Sequence, residues 1–122
     1  MQTFTKSERL CSRILIDGLM AKGRSFNQSP FRVTWQKVEA GDVPVQVVIS
    51  VPKRIFKRAV DRNKLKRRIR EAYRKNKNSL YQELNETKLL AMFVYNQKTI
   101  AAYSEIEEKI KLAMERLIKE IK

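Results

Sequence analysis

The chain of 122 residues carries 27 Lys or Arg against 13 Asp or Glu, a net charge of +14, and contains no histidine. That length suits a single domain spanning residues 1–122, and a hydrophobic content of 43% argues against global disorder. Without histidine, and with Cys11 the sole cysteine, Ser-His and Cys-His nucleophilic catalysis and a zinc centre are excluded. The lone Cys11 forms no internal disulfide, which suits a reducing cytosol, and it reads as a buried structural thiol. No apolar run approaches the roughly 18 residues that cross a bilayer. The opening "MQTFTKSERL" lacks the basic-then-apolar order of a secretory signal, so a cytoplasmic location is expected. The acids are scattered, eight of the thirteen lying after residue 70, which leaves no carboxylate cluster for metal-dependent catalysis by the chain itself.

In chain order, Thr5-x-x-Glu8 has the pattern of a capping box, and Leu10, Ile14, Leu15, Leu19 and Met20 recur at helical spacing. These predict a first helix over 6–22, closed by Gly23 as its C′ residue. "SFNQSP" reads as a turn with a short strand at its start. Phe31, Val33 and Trp35 alternate with Arg32, Thr34 and Gln36, a half-buried strand. "EAGD" supplies a turn and "VPVQVVISV" a second β-branched strand, the two expected to pair as an antiparallel hairpin. Residues 61–77 return to helical spacing, and "TKLLAMFVY" is an apolar run of strand length. Ser104-x-x-Glu107 repeats the capping-box pattern before Ile106, Ile110, Ala113, Leu117 and Ile121, one apolar stripe of a final helix. The fold class is α+β, helices packed on a small sheet.

Charge is concentrated rather than spread. Residues 53–77 hold thirteen Lys or Arg against Asp61 and Glu71, a net of +11, and the rest of the chain nets only +3. Such a patch calls for a polyanionic partner. On a helical wheel, Leu65, Ile69, Ala72 and Tyr73 fall on one third of the circle and face the core. Arg62, Lys66, Arg70, Asn63, Arg74 and Arg67 occupy the adjoining arc, while Lys64, Arg68 and Lys75 lie opposite with Glu71 as a solvated face. A dense basic run can simply keep a helix wet. The first arc, however, is rich in Arg, whose planar fork suits bidentate phosphate contacts, and Asn63 within it can read a base edge. A membrane-surface helix would need a broad apolar face open to lipid, which the core already claims. Nucleic acid is the better partner.

The stretch "VISVPKRIFKRAVDRNKLKRRIREAY" closely resembles the protein subunit of bacterial ribonuclease P. Arg62, Asn63, Lys66, Arg67 and Arg70 match the family's Arg-Asn motif residue by residue, and Ser50, Val51, Lys53 and Arg54 match its strand end. The resemblance extends through residues 5–75 and is less diagnostic beyond. It implies a four-stranded sheet sandwiched with three helices in the order αβββαβα, with a left-handed βαβ crossover where general rules favour the right-handed one. The fourth strand is expected near Ser25–Asn27. It implies a protein subunit that assists a catalytic RNA in removing the 5′ leader of precursor tRNA, with magnesium held by the RNA subunit and substrate. The motif residues, with Arg74, would bind the RNA subunit. A cleft between the first helix and the sheet would hold the single-stranded leader, and no membrane or DNA partner is expected.

The sequence departs from the family at the cleft. Two Phe one helical turn apart often precede the Gly, and here Ile16 and Met20 stand in those places. An aromatic contribution is left to Phe31 or Trp35, although the phase of that strand is open and core packing is the competing reading. One additional residue between Ser50 and Arg62 leaves Lys57 and Arg58 unassigned. The expected cleft set is therefore Ile16, Met20, Phe31, Trp35, Ser50, Lys53 and Arg54. Two alternatives remain at this point: a generic RNA-binding module such as a small ribosomal protein, and a self-sufficient metal-dependent nuclease.

Overall fold

The computed structural model describes residues 8–10, 12–39, 43–84 and 86–121. Its elements are α1 (Arg13–Lys22), β1 (Arg24–Gln28), β2 (Phe31–Val38), β3 (Val45–Ser50), α2 (Ala59–Leu84), β4 (Lys88–Tyr95) and α3 (Tyr103–Ile121). The four strands form one mixed sheet in the order β1-β2-β4-β3, so the α+β class and the αβββαβα order hold, and the short strand near Ser25 is β1.

The expected hairpin between β2 and β3 does not form. β4 lies between them, antiparallel to β2 and parallel to β3, with Trp35 opposite Ala91 and Val47 opposite Ala91 on the other side. The reason is visible in β4 itself, where Leu89, Leu90 and Ala91 are buried in succession. A strand apolar on both faces belongs in the middle of a sheet, so β4 takes the place between β2 and β3. β3 and β4 are consequently joined through α2 as a βαβ unit.

One face of the sheet packs under α2 and α3. Phe31, Val33 and Trp35 of β2, Val45, Val47 and Ile49 of β3, and Phe93 and Tyr95 of β4 meet Leu65, Ile69, Tyr73 and Leu80 of α2 and Ile106, Ile110 and Leu117 of α3. Edge-to-face ring contacts order its centre, with Phe31 against Phe93 and Tyr95, and Tyr73 against Phe93. The other face has lighter cover. There Leu19 of α1 packs with Leu10 and Leu90, flanked by Ile16, Val38, Val48 and Met92.

The first helix is shorter than its periodicity predicts. Ser12 is the N-cap, its side chain accepting from the Leu15 amide at 3.4 Å. Ahead of it, the Leu10 amide donates to the Val47 carbonyl at 2.9 Å, and Arg9 bridges Val47 in parallel, so this segment extends along the open edge of β3. Glu8 caps no helix. Its buried carboxylate accepts from Lys77 Nζ at 2.6 Å and from the Tyr81 hydroxyl. Thr5 and Cys11 lie outside the described residues, as does most of the "EAGD" turn. Gly23 does end α1, but its backbone is extended rather than left-handed. Glycine is required by close approach, since a Cβ there would sit 2.5 Å from the Leu19 carbonyl and 2.9 Å from Thr34 Cγ2.

α3 likewise forms without its expected capping box. The Ile106 amide bonds to the Ala102 carbonyl, and Glu107 accepts from Asn76 Nδ2 at 3.2 Å and from the Tyr103 hydroxyl at 3.3 Å. The Glu107 carboxylate is thus drawn sideways to α2. α2 itself runs to Leu84, beyond the predicted 77, because Leu80 and Leu84 continue the buried stripe.

Lys77→Met leaves Glu8 buried without its cation and is expected to cost about 3–5 kcal/mol in chemical denaturation. Burial and the bond to Glu8 raise the Tyr81 phenol far above its usual value. The unfolded state therefore loses this proton first. The contribution is present below about pH 10 and is lost as pH rises beyond it. Tyr81→Phe is expected to be less stable at neutral pH but to lose stability less steeply above pH 10, measured by urea midpoints.

Candidate nucleic-acid interface

The basic segment begins in the turn after β3 and continues through α2. Its thirteen cations divide by what holds them. Arg62 Nη1 donates to the carbonyls of Phe56 and Lys57 at 2.7 and 3.0 Å, tying the turn to the first helical residues. Arg68 Nη1 donates to the Ala101 carbonyl at 2.6 Å, and Lys75 lies over the Tyr103 ring at 5.5 Å. Arg74 pairs with Glu71, its Nε at 3.2 Å, and Lys77 is buried on Glu8. That bond from Arg74 holds the Glu71 carboxyl below its usual value and raises the Arg74 guanidinium.

Eight cations remain: Lys53, Arg54, Lys57, Arg58, Lys64, Lys66, Arg67 and Arg70. Among the described residues, their side chains make no hydrogen bond or ion pair. Asn63, Arg67 and Arg70 are exposed and Lys66 is half-buried. Four of the six residues expected to meet the RNA subunit are thus open to a partner. Arg62 acts on the turn, and Arg74 is bonded within its own helix. Arg68, expected on the solvated face, is instead half-buried and bridges to the loop before α3. Its angle on the helix adjoins Ala72 at the core edge, but only packing brings the loop before α3 within its reach.

The sheet face under α1 carries a groove. A cavity of about 240 Å³ opens there between Met20 of α1, Ser25 of β1, and Arg32 and Thr34 of β2. Met92 and Val94 of β4, Asn96 just beyond it, and Arg54 of the basic turn complete the wall. The Ser25 and Thr34 hydroxyls are hydrogen-bonded to each other at 2.9 Å. Met20 is largely exposed, 63% of its surface open, and lines this groove.

Of the expected cleft residues, the structure brings Met20 and Arg54 together in this cavity. Ser50 is half-buried on the same sheet face, and Lys53 is exposed in the adjoining turn. Ile16 packs sideways on Leu10, Leu19 and Leu90. Phe31 and Trp35 are corrections: both lie on the opposite face, at 1% and 4% exposure, inside the core beneath α2 and α3. Two helices need the large apolar phase of β2, so its polar phase, Arg32 and Thr34, is left for the groove. That polar phase was the available signal for the residues missed. Among the described residues, no aromatic side chain lines this cavity.

A family model described as Ribonuclease P matches residues 4–121. The chain belongs to the Ribonuclease P protein family. Within that family, the Ribonuclease P protein component of Porphyromonas gingivalis W83 is 38% identical over 92 residues, covering 75% of this chain and 67% of that protein. The Ribonuclease P protein component of Chlorobium phaeobacteroides is 26% identical over 130 residues, covering 96% and 89%. The fold is similar to that of the RNase P protein from Thermotoga maritima, with a TM-score of 0.71 at 24% identity, covering 89% of this chain and 96% of that one. The RNase P protein from Staphylococcus aureus gives a TM-score of 0.72 at 21% identity, covering 92% and 96%. The family name implies a part in a tRNA-processing endoribonuclease that works as a ribonucleoprotein. No helix among the described residues is long and apolar enough to cross a membrane.

The cations of this Ribonuclease P family member should separate in stability measurements. Arg68→Gln removes a charged bond to Ala101 and is expected to cost about 1.5–3 kcal/mol. Arg67→Gln and Arg70→Gln, with no partner among the described residues, are expected to stay within about 0.5 kcal/mol of the parent.

Proposed function

We propose that this protein is the RNA-binding subunit of a cytoplasmic ribonuclease P, in which a catalytic RNA removes the 5′ leader of precursor tRNA. The observation that carries this reading is the row of eight uncommitted cations on a turn and helix tied together by Arg62. The packed helix fixes the spacing of these cations along its backbone, so the row meets phosphates of a folded RNA in register, with only the side chains left to be ordered on binding. Asn63, Lys66, Arg67 and Arg70 dock on the RNA subunit, and Arg62 holds the turn in register with them. The groove beside Arg32 and Arg54 takes the single-stranded leader. With Met20, Met92 and Val94 as its apolar wall and the Ser25–Thr34 hydroxyls and Asn96 as its polar groups, it holds bases by contact and hydrogen bonding rather than by aromatic stacking.

Among the described residues, no three His, Cys, Asp or Glu side chains are grouped to hold a metal ion. In this reading magnesium supplies the activated water and is carried by the RNA subunit and substrate. The protein's part is to bring cations to the phosphates around that centre, lowering the repulsion among RNA strands and so the magnesium needed.

Reconstitution with the cognate RNA subunit tests the reading. Wild-type protein is expected to lower the magnesium required for precursor cleavage, and Arg67→Gln with Arg70→Gln to weaken RNA-subunit binding for every substrate. The log–log salt slope of that binding should fall by about one unit for each phosphate that is no longer neutralised. Met20→Ala or Thr34→Val should instead weaken only substrates that carry a leader. A generic RNA-binding module would show the salt dependence but no effect on cleavage.

A further inference from the structure

A second basic cavity lies apart from the basic turn, where the ends of α1 and α3 meet the start of β1. About 360 Å³ in volume, within the range of small-ligand pockets, it is lined by Lys22 at the end of α1, Arg24 at the start of β1, Trp35 and Lys37 of β2, and Glu120 near the end of α3. Among the described residues, none of the three cations forms an ion pair. The Arg24 guanidinium sits over the Trp35 ring, 6.0 Å from its centroid, which holds it at the cavity while its N–H groups stay available. Trp35 is 4% exposed, and its indole N–H is buried with no acceptor among the described residues. Among the described residues, Glu120 is the one carboxylate in the lining.

Three uncommitted cations around a ring already covered by Arg24 suit an anion, not a stacked base. The location indicates which anion. Phe56 of the basic turn packs on Tyr95, which pairs with Phe31, whereas the cavity is at Trp35, about 13 Å further along β2. On the other side, Gly23 alone separates Lys22 from Arg24, and Ser25 already lines the groove.

We propose that Lys22, Arg24 and Lys37 form an RNA phosphodiester site around the end of the sheet from the groove, past the nucleotides that the groove itself holds. This inference rests on the ribonuclease P reading above. The phosphate belongs either to the distal part of a long leader or to the catalytic RNA, and both sources present the same chemistry.

The test uses reconstituted holoenzyme with Arg24→Gln/Lys37→Gln, and precursor tRNAs whose leaders end in the groove or continue for several more nucleotides. A loss of about 5-fold or more in affinity confined to the long leader assigns the site to leader phosphates. An equal loss in RNA-subunit binding, whatever the leader, assigns it to the catalytic RNA. Glu120→Gln, a surface change that adds no strain, is expected to tighten the same step by about 2-fold, a gain that misfolding cannot mimic. Unchanged affinities in both variants overturn the site. Arg67→Gln/Arg70→Gln runs alongside: if that variant too binds as wild type, the ribonuclease P reading fails, and if it alone is impaired, only this cavity's assignment fails.

Discussion

β4 is apolar on both faces, and a strand of that kind has to lie inside a sheet with cover on each side. Leu89, Ala91, Phe93 and Tyr95 turn toward α2 and α3, while Leu90 and Met92 turn toward α1. The remaining topology follows from this. β2 and β3 become its neighbours instead of each other's, and β3 is left with an open edge that Arg9 and Leu10 close. The two covers are unequal. Two long helices cover the core of one face, and a ten-residue helix shields only part of the other, which is what leaves a groove.

Anchoring the segment that closes the β3 edge falls to a buried pair. Glu8 and Lys77 are 69 positions apart and meet with little exposed surface, the Tyr81 hydroxyl donating to the same oxygen. Removing two charges from water is costly, and a pair of this kind persists when hydrogen bonds complete it. Its geometric effect is to fix the N-terminal segment against α2 directly before the short helix that walls the groove. The position of α1 is therefore coupled to the same helix that carries the exposed cations.

Charge on α2 does two separate jobs. Arg62, Arg68, Arg74 and Lys77 are committed to the protein's own carbonyls and carboxylates, fixing the turn before α2 and the loop before α3. Lys66, Arg67 and Arg70 are left free on a framework thereby made rigid. Repulsion among so many cations is tolerable because part of the charge is neutralised or solvated internally and the exposed part is screened by ions until a polyanion replaces them.

The sequence by itself determined the elements, the concentration of charge over 53–77 and the likeness of the Arg62–Arg70 stretch to its family, because periodicity, composition and motif spacing are local properties. Asn63, Arg67 and Arg70 could be read as exposed from a helical wheel alone, as could the burial of Leu65, Ile69 and Tyr73. Contacts made across the fold were not legible. Glu8 has the spacing of a capping residue, and only the approach of Lys77 makes it half of a buried pair. Phe31 and Trp35 alternate with Arg32 and Thr34 in a pattern that fixes two faces without saying which one receives two helices. Which residues line the groove, which arginines are free and where β4 inserts were decided by tertiary packing, since each depends on what a distant segment brings to the other side of the sheet.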